Sequence, residues 1–155
     1  MDDSTRVNLR LRQEQDYRCV VEFDDGAPAL IADEPPPLGQ GRGPSPVQLL
    51  LAAVANCLTD SLLFALRKFR QDAEPLHCQA SAELGHNADK RLRVLAIEVE
   101  LRLGKPAAEL QQLPRILEQF ESFCTVTQSI AQGIAVHLRV LDGNGELLKG
   151  EQSRQ

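Results

Sequence analysis

The sequence has little positive charge, and what it has is scattered. Its 155 residues include 17 Lys and Arg against 22 Asp and Glu, which gives a formal net charge of −5. The densest basic cluster is Arg67, Lys68 and Arg70. A surface that binds polyanions needs a larger concentrated patch. We therefore expect a protein that does not bind nucleic acid.

The sequence also has no segment typical of secretion or membrane insertion. Residues 1–4 are acidic, and no apolar core follows them. Polar residues interrupt the one long apolar stretch, 49–66: Asn56, Thr59, Asp60 and Ser61. A charged side chain at the centre of a membrane is costly. These features predict a cytoplasmic protein that does not associate with membranes.

The motifs of several common site types are missing as well. There is no Gly-x-Ser-x-Gly elbow of the hydrolases. The glycine-rich run 39–43 leads into Pro44 and not into the Lys-Ser/Thr of a phosphate-binding loop. Among His and Cys only His77 and Cys78 are close in sequence, and strand neighbours face opposite sides. We expect neither a metal nor another cofactor.

The composition is that of one globular domain over residues 1–155, with a loose polar tail at about 151–155. Alternation of apolar and polar residues predicts strands. They are residues 7–12, 17–23, 29–31, 76–84, 92–103 and 134–141. Helices are expected after Pro106 and Pro114 and over 125–132, where Gly133 would end the last one. The order of these elements indicates the α+β class.

A long helix is predicted from Ser45 and Pro46 to about residue 69. Serine is a favoured N-cap, and proline is favoured in the first helical position. The helix is apolar on nearly every face, which is typical of a helix surrounded by protein. At 1.5 Å per residue it would be roughly 35 Å long. A chain of this size covers so long a helix poorly, so we expect a second subunit.

The four cysteines fall into two pairs. Without a secretion signal they are expected to be reduced thiols, kept for chemistry or packing. Cys19 and Cys78 lie on strands among apolar neighbours, which favours packing. Cys57 lies in the long helix beside the polar residues named above. Cys124 stands at the start of the predicted helix 125–132, where the free N–H groups and the helix dipole favour a thiolate.

Thiol redox chemistry follows if Cys57 and Cys124 meet, which the sequence alone does not show. One thiolate would attack an oxidant and become a sulfenic acid, and the other would condense with it to a disulfide. The attack requires a nearby cation that lowers the thiol pKa. Asp60, one helical turn from Cys57, would raise that pKa. Arg18 and Arg42 are the candidate cations.

Both cysteine segments resemble the motifs of the OsmC/Ohr family. In that family a helix led by proline runs through small and apolar residues to the reactive thiol, as in 43–57, GPSPVQLLLAAVANC. The second family motif is a cysteine followed by x-Val-Ser/Thr, as in 124–130, CTVTQSI. The order and spacing of the two segments match as well, and the resemblance covers about residues 5–142.

The resemblance implies a fold and an activity. The fold would be an OsmC-like α+β homodimer of intertwined chains, with two central cysteine-bearing helices wrapped by antiparallel β-sheet. The activity would be a cysteine-based peroxidase that reduces organic hydroperoxides in oxidative-stress defence. Cys57 would be the peroxidatic thiolate and Cys124 the resolving thiol, and an external dithiol would reopen their disulfide. Arg18 best matches the activating arginine of the family.

One position departs from the family motif. Much of the family has a Glu after the motif proline, and this Glu pairs with the arginine. Here Val47 and then Gln48 follow Pro46, so either another acid such as Glu22 or Asp60 would hold the arginine, or the arginine would be free. The departure places the chain in a less characterised branch. It leaves open a non-catalytic module that binds a small apolar ligand, or a redox sensor.

Overall fold

The computed structural model describes residues 3–151. It contains two compact units, one that runs to Leu50 and one that begins at Leu51. Each unit has its own sheet. The single-domain organisation over 1–155 stays a prediction, and most of the predicted loose tail, residues 152–155, lies outside the described residues.

The first unit is built on a three-stranded antiparallel sheet. Its strands are β1 (Leu9–Gln15), β2 (Arg18–Phe23) and β3 (Leu30–Ala32), in that order across the sheet. They lie within two or three residues of the predicted strands, because alternation of side chains sets both the pattern and the sheet faces. Val20, Val21 and Ala32 are its buried apolar residues. β1 is exposed along its whole length.

The first helix, α1 (Pro46–Lys68), begins where the sequence predicts. The Ser45 Oγ accepts the Gln48 backbone N–H at 3.3 Å, and the Gln48 side chain accepts the Ser45 N–H at 2.8 Å. This reciprocal pair is a capping box, which satisfies two N–H groups at the start of the helix. The boundary between the two units falls inside α1, after Leu50.

The second unit pairs the rest of α1 with a four-stranded sheet, in the order β4-β5-β6-β7. Its strands are β4 (His77–His86), β5 (Leu92–Arg102), β6 (Ala135–Leu141) and β7 (Leu147–Lys149). Between β5 and β6 lie a 3-10 helix (Ala107–Glu109), α2 (Leu113–Gln119), a second 3-10 helix (Phe120–Phe123) and α3 (Thr125–Ile130). Pro106 and Pro114 stand at helix starts, as predicted, whereas α3 ends two residues before the predicted end.

The α+β fold class is confirmed, and the sheet differs from the prediction in two details. β5 and β6 pair in parallel, whereas the other neighbouring strands are antiparallel. A parallel pair requires a long crossover, which residues 103–134 provide. β7 is an additional short strand after the turn that follows β6, too short for alternation to reveal it.

The core of the second unit lies between α1, β5 and the helices of the crossover. Its side chains are no more than 2 % exposed: Val54, Leu58, Leu62, Leu66, Ile97, Val99, Leu101, Ile116, Phe120 and Val140. Within residues 3–151, α1 is the one helix long and apolar enough to cross a membrane. One face of α1 belongs to this core, as in the core helices of globular proteins that meet the same criterion.

Candidate active site

The second unit brings Cys57 and Cys124 together. Cys57 lies in the middle of α1 and is half-buried, whereas Cys124 is fully buried. Cys124 precedes α3 as its N-cap residue, with extended backbone. The two thiols interact closely enough for Cys57 to raise the pKa of Cys124. The two reduced, unlinked cysteines that dithiol chemistry requires are therefore neighbours in the fold.

The Cys124 thiol is held in its protonated form. Burial raises the pKa of Cys124, and the neighbouring Cys57 thiol raises it further. Thr127 opposes both effects, because its buried hydroxyl lies 3.0 Å from the Cys124 Sγ. The prediction that the helix start favours a thiolate at Cys124 is wrong. Burial of the sulfur away from water raises its pKa by more than the start of the helix lowers it.

The polar residues around Cys57 are satisfied by their own helix or by solvent. The Thr59 hydroxyl donates to the Ala55 carbonyl at 2.7 Å, and the Ser61 hydroxyl donates to the Cys57 carbonyl at 2.7 Å. Such bonds to the carbonyl four residues back are a common way to place hydroxyls inside a helix. Asn56 and Asp60 are exposed. Asp60 is therefore a solvated acid and not a buried one.

Arg18, the predicted activating cation, begins β2 in the first unit. Its guanidinium donates to the Gln15 side chain at 3.3 Å, and its Nε lies 3.6 Å from a carboxylate oxygen of Glu14. The acid that pairs with Arg18 is thus Glu14, and neither Glu22 nor Asp60 as expected. In the described chain the Arg18 Nε is the one buried side-chain nitrogen or oxygen without a hydrogen bond.

Asp33 organises the loop that follows β3 in the same unit. This carboxylate is 3 % exposed and accepts three backbone N–H groups, from Glu34, Gln40 and Arg42, at 2.8 to 3.3 Å. The bond from Arg42 is the main cause that lowers the pKa of Asp33. A Cβ at Gly39 would lie 2.1 Å from the Glu34 carbonyl oxygen, which explains a glycine in this loop. Arg42, the second candidate cation, contributes its backbone here.

Two aromatic side chains lie near Cys57 and Cys124 in the sequence. Phe64 follows Cys57 by two turns of α1, and Phe123 directly precedes Cys124. Their rings meet edge to face, with centroids 5.3 Å apart. They are 58 % and 40 % exposed, so they present apolar surface to solvent. The Lys68 ammonium lies 5.5 Å from the Phe123 ring centroid.

The other two cysteines are separate from this pair. Cys78 on β4 is half-buried, and burial raises the pKa of Cys78, an effect that the nearby Thr59 side chain opposes. Cys19 on β2 is half-buried in the first unit. The packing role predicted for both is compatible with these positions.

A broad cavity of about 860 Å³ lies on the sheet and not at the dithiol. Its polar lining includes Ser81, Glu98, His137 and Arg139 from β4, β5 and β6. Glu98 pairs across the sheet with both Ser81 and His137. Alternation places these side chains on the face opposite to the core. Neither Cys57 nor Cys124 lines this cavity.

Comparison with known proteins assigns the chain to a protein family. The model of the OsmC-like protein family matches residues 39–139, which include both cysteine segments. The chain belongs to the OsmC-like family. The match includes Cys57 and Cys124 but begins after Arg18, so it carries no information on the arginine. No curated protein matches the sequence.

Solved structures show the same fold. An OsmC-like protein of unknown function from Vibrio cholerae superposes with a TM-score of 0.75 at 18 % identity, over 89 % of this chain and 100 % of that one. An organic hydroperoxide resistance protein from Elizabethkingia anophelis gives 0.70 at 15 % identity, over 90 % and 98 % of the two chains. The organic hydroperoxide resistance protein OhrB of Bacillus subtilis gives 0.67 at 15 % identity, over 88 % and 98 %.

Thr127 stands at the Ser/Thr of the second family motif, but the sequence alone assigns it no chemical role. A threonine in the first turn of a helix is an ordinary residue, and only the burial of its neighbour Cys124 gives its hydroxyl a chemical partner. The Cys-x-x-Thr spacing is the available signal, because the residue three positions after an N-cap is the one that its side chain can reach.

Proposed function

We propose that this OsmC-like protein is a thiol-dependent peroxidase that reduces organic hydroperoxides in the cytoplasm, as part of oxidative-stress defence. The observation that carries the proposal is that the fold brings Cys57 and Cys124 close enough for their thiols to interact. One of these thiols is half-buried and the other is fully buried. This asymmetry suits a pair in which one sulfur meets the oxidant and the other waits to resolve it.

The reaction proceeds in three steps. The Cys57 thiolate attacks the terminal peroxide oxygen, the O–O bond breaks, and the alkoxide takes a proton to leave as an alcohol. The Cys124 thiol then attacks the Cys57 sulfenic acid, which releases water and forms the Cys57–Cys124 disulfide. An external dithiol reduces this disulfide and is itself oxidised. The raised pKa of Cys124 fits the resolving role, since a protonated thiol does not compete with Cys57 for the oxidant.

An apolar hydroperoxide is the substrate class that the surroundings of the dithiol favour. The exposed edge-to-face pair Phe64 and Phe123 offers apolar surface next to both cysteine segments. Two structural neighbours are organic hydroperoxide resistance proteins. An alkyl chain gains from burial against such rings, whereas hydrogen peroxide has no apolar part to bury.

A homodimer and an activating role for Arg18 complete the proposal. α1 exposes apolar residues on the side away from its core, among them Ala52, Ala53 and Phe64. β1 exposes Leu9 and Leu11. A second copy of the chain would bury such surfaces. Arg18 would supply the positive charge at Cys57, the role that the family resemblance implies for it.

The test is consumption of tert-butyl hydroperoxide by the purified protein with excess dithiothreitol. We expect multiple turnovers in wild type and a loss on the order of 100-fold or more in Cys57→Ser, which removes the nucleophile. Cys124→Ser should slow turnover less, because an external thiol can still reduce the sulfenic acid. Cys78→Ser, a half-buried cysteine outside the pair, is the matched control and should keep the wild-type rate. Equal rates in Cys57→Ser and wild type would contradict the proposal.

The alternative is a non-catalytic module that binds a small apolar ligand, or a redox sensor. Val47 favours it, because this position offers no carboxylate to hold an arginine. Gln48 does not replace that carboxylate, since its side chain caps α1. Absence of turnover in wild type with a ligand retained on purification would favour the binding module. A single, stoichiometric oxidation by peroxide would favour the sensor.

A further inference from the structure

The two sulfur atoms of the candidate redox pair differ in access and in hydrogen bonding. Cys124 is 0 % exposed, whereas Cys57 is half-buried. The Cys124 Sγ lies 3.0 Å from the Thr127 hydroxyl oxygen, and Thr127 is itself 5 % exposed. The hydroxyl of Thr127 is therefore a fixed, water-shielded partner for one sulfur of the pair.

This asymmetry decides how a disulfide between the two cysteines is opened. A thiolate attacks one sulfur of a disulfide, and the other sulfur leaves with the electron pair of the S–S bond. The attacked sulfur must be accessible, and the leaving sulfur departs faster when its negative charge is stabilised. Access favours attack at Cys57. Burial makes Cys124 a poorer leaving group, and the Thr127 hydroxyl, 3.0 Å from its sulfur, is the group that offsets this penalty.

We infer that Thr127 directs the reductive half of the reaction: the external dithiol attacks the Cys57 sulfur, and Cys124 leaves as a thiolate that accepts a hydrogen bond from the Thr127 hydroxyl. The first reductant sulfur becomes linked to Cys57 in a mixed disulfide. The second reductant sulfur then attacks that mixed disulfide, which releases the Cys57 thiolate and the oxidised reductant. Cys124 takes a proton from water. Thr127 acts through Cys124 and is a positioning residue. The inference deepens the proposed function and rests on it for the disulfide.

The experiment measures the two half-reactions separately in wild type, Thr127→Val and Thr127→Ser. Valine keeps the branched shape and removes the hydroxyl, whereas serine keeps the hydroxyl. Disulfide formation with one equivalent of tert-butyl hydroperoxide should proceed at similar rates in all three. Reduction of the isolated disulfide by dithiothreitol should be about tenfold slower in Thr127→Val, the size expected for a lost hydrogen bond to a charged group. Thr127→Ser should restore the rate.

Thr125→Val is the matched control. It makes the same substitution in the same helix, at an exposed side chain, and should leave both half-reactions unchanged. Equal slowing of oxidation and reduction in Thr127→Val, or equal slowing in Thr125→Val, would indicate a general disturbance of α3 and overturn the inference.

A second measurement locates the attack directly. The oxidised protein is treated briefly with N-acetylcysteine, the free thiols are alkylated with iodoacetamide, and the peptides are examined by mass spectrometry. We expect N-acetylcysteine on Cys57 and the alkyl group on Cys124. The reverse pattern would overturn the inference. Diamide can supply the disulfide in place of peroxide, so a protein that fails only with peroxide would refute the peroxidase and still permit this test.

Discussion

Two buried ionisable groups in the second unit, Asp142 and Cys124, respond to burial in opposite ways. The Asp142 carboxylate is 1 % exposed and accepts backbone N–H groups from Ala107, Asn144 and Glu146 at 2.8 to 2.9 Å. These bonds, that from Ala107 first, lower the pKa of Asp142. Cys124 is equally buried, but its main polar partner is one hydroxyl, and its pKa is raised.

The difference shows that burial does not by itself decide the charge state of a group. Three N–H donors replace the water that a carboxylate loses, so Asp142 stays ionised and ties the start of the first 3-10 helix to the turn before β7. A single hydroxyl does not replace the water around a sulfur, so Cys124 stays a thiol. The first group has a structural role, and the second remains a protonated thiol, as the proposed resolving role of Cys124 requires.

The largest loss of stability is expected from Asp142→Asn, which removes the carboxylate that accepts the three backbone N–H groups. The amide keeps one oxygen and turns an N–H₂ group toward backbone donors, so buried N–H groups lose their acceptor. We expect the melting temperature at pH 7 to fall by several degrees. Asp25→Asn, an exposed carboxylate that accepts one N–H, is the control and should change it little.

At acidic pH, the difference in melting temperature between wild type and Asp142→Asn should become smaller. Because the folded pKa of Asp142 lies below its ordinary 3.8, the stabilisation is present above 3.8 and is lost as pH falls through the folded value. Thermal unfolding from pH 7 to pH 2.5 measures this. A gap that stays constant over that range would mean that the ionised carboxylate is not what matters.

A smaller effect is expected at Cys124 in base. The reduced protein should show a thiolate absorbance at 240 nm with a component that titrates above 9.0, the ordinary pKa of a cysteine, and that component should vanish in Cys124→Ser. Stability from the protonated thiol is present below 9.0 and lost as pH rises through the folded value. A Cys124 component that titrates below 9.0 would remove the contrast with Asp142.

The smallest loss of stability is expected at the start of α1, where the N–H groups of the capping box are close to solvent. Ser45→Ala breaks one half of the capping box of α1 and should cost about 1 kcal/mol of unfolding free energy. Gln48→Glu keeps an acceptor at the same position and should unfold like wild type. Chemical denaturation of the three proteins measures both. The comparison rests on the idea that a buried N–H group depends more on its acceptor than an N–H group close to solvent does. If Ser45→Ala lowered the unfolding free energy as much as Asp142→Asn does, that idea would be contradicted.

The elements that the sequence predicts well are those specified by local chemistry. Ser45 and Pro46 determine where α1 begins, and Pro106 and Pro114 mark later helix starts. The proximity of Cys57 and Cys124 results from the crossover, which brings Cys124 back toward α1. No local pattern specifies that proximity, and the family resemblance supplied the expectation.

The features that the sequence does not reveal depend on distant partners. The parallel pairing of β6 with β5 is a property of the crossover. In the sequence, Asp33 and Asp142 look like ordinary turn residues. The backbone N–H groups that donate hydrogen bonds to them lie up to 35 residues away, so no local pattern reveals these bonds. The partner of Arg18 was expected among Glu22 and Asp60 and is Glu14, since the irregular register between β1 and β2 places Glu14 beside it.

The central claim is that Cys57 and Cys124 form one redox pair. The most direct test treats the fully reduced protein with one equivalent of tert-butyl hydroperoxide, blocks the remaining thiols, and maps the disulfides by mass spectrometry. The account predicts a peptide that links Cys57 to Cys124, with Cys19 and Cys78 alkylated. A bond that joins Cys57 to Cys78, or a protein in which all four thiols stay alkylated, would contradict it.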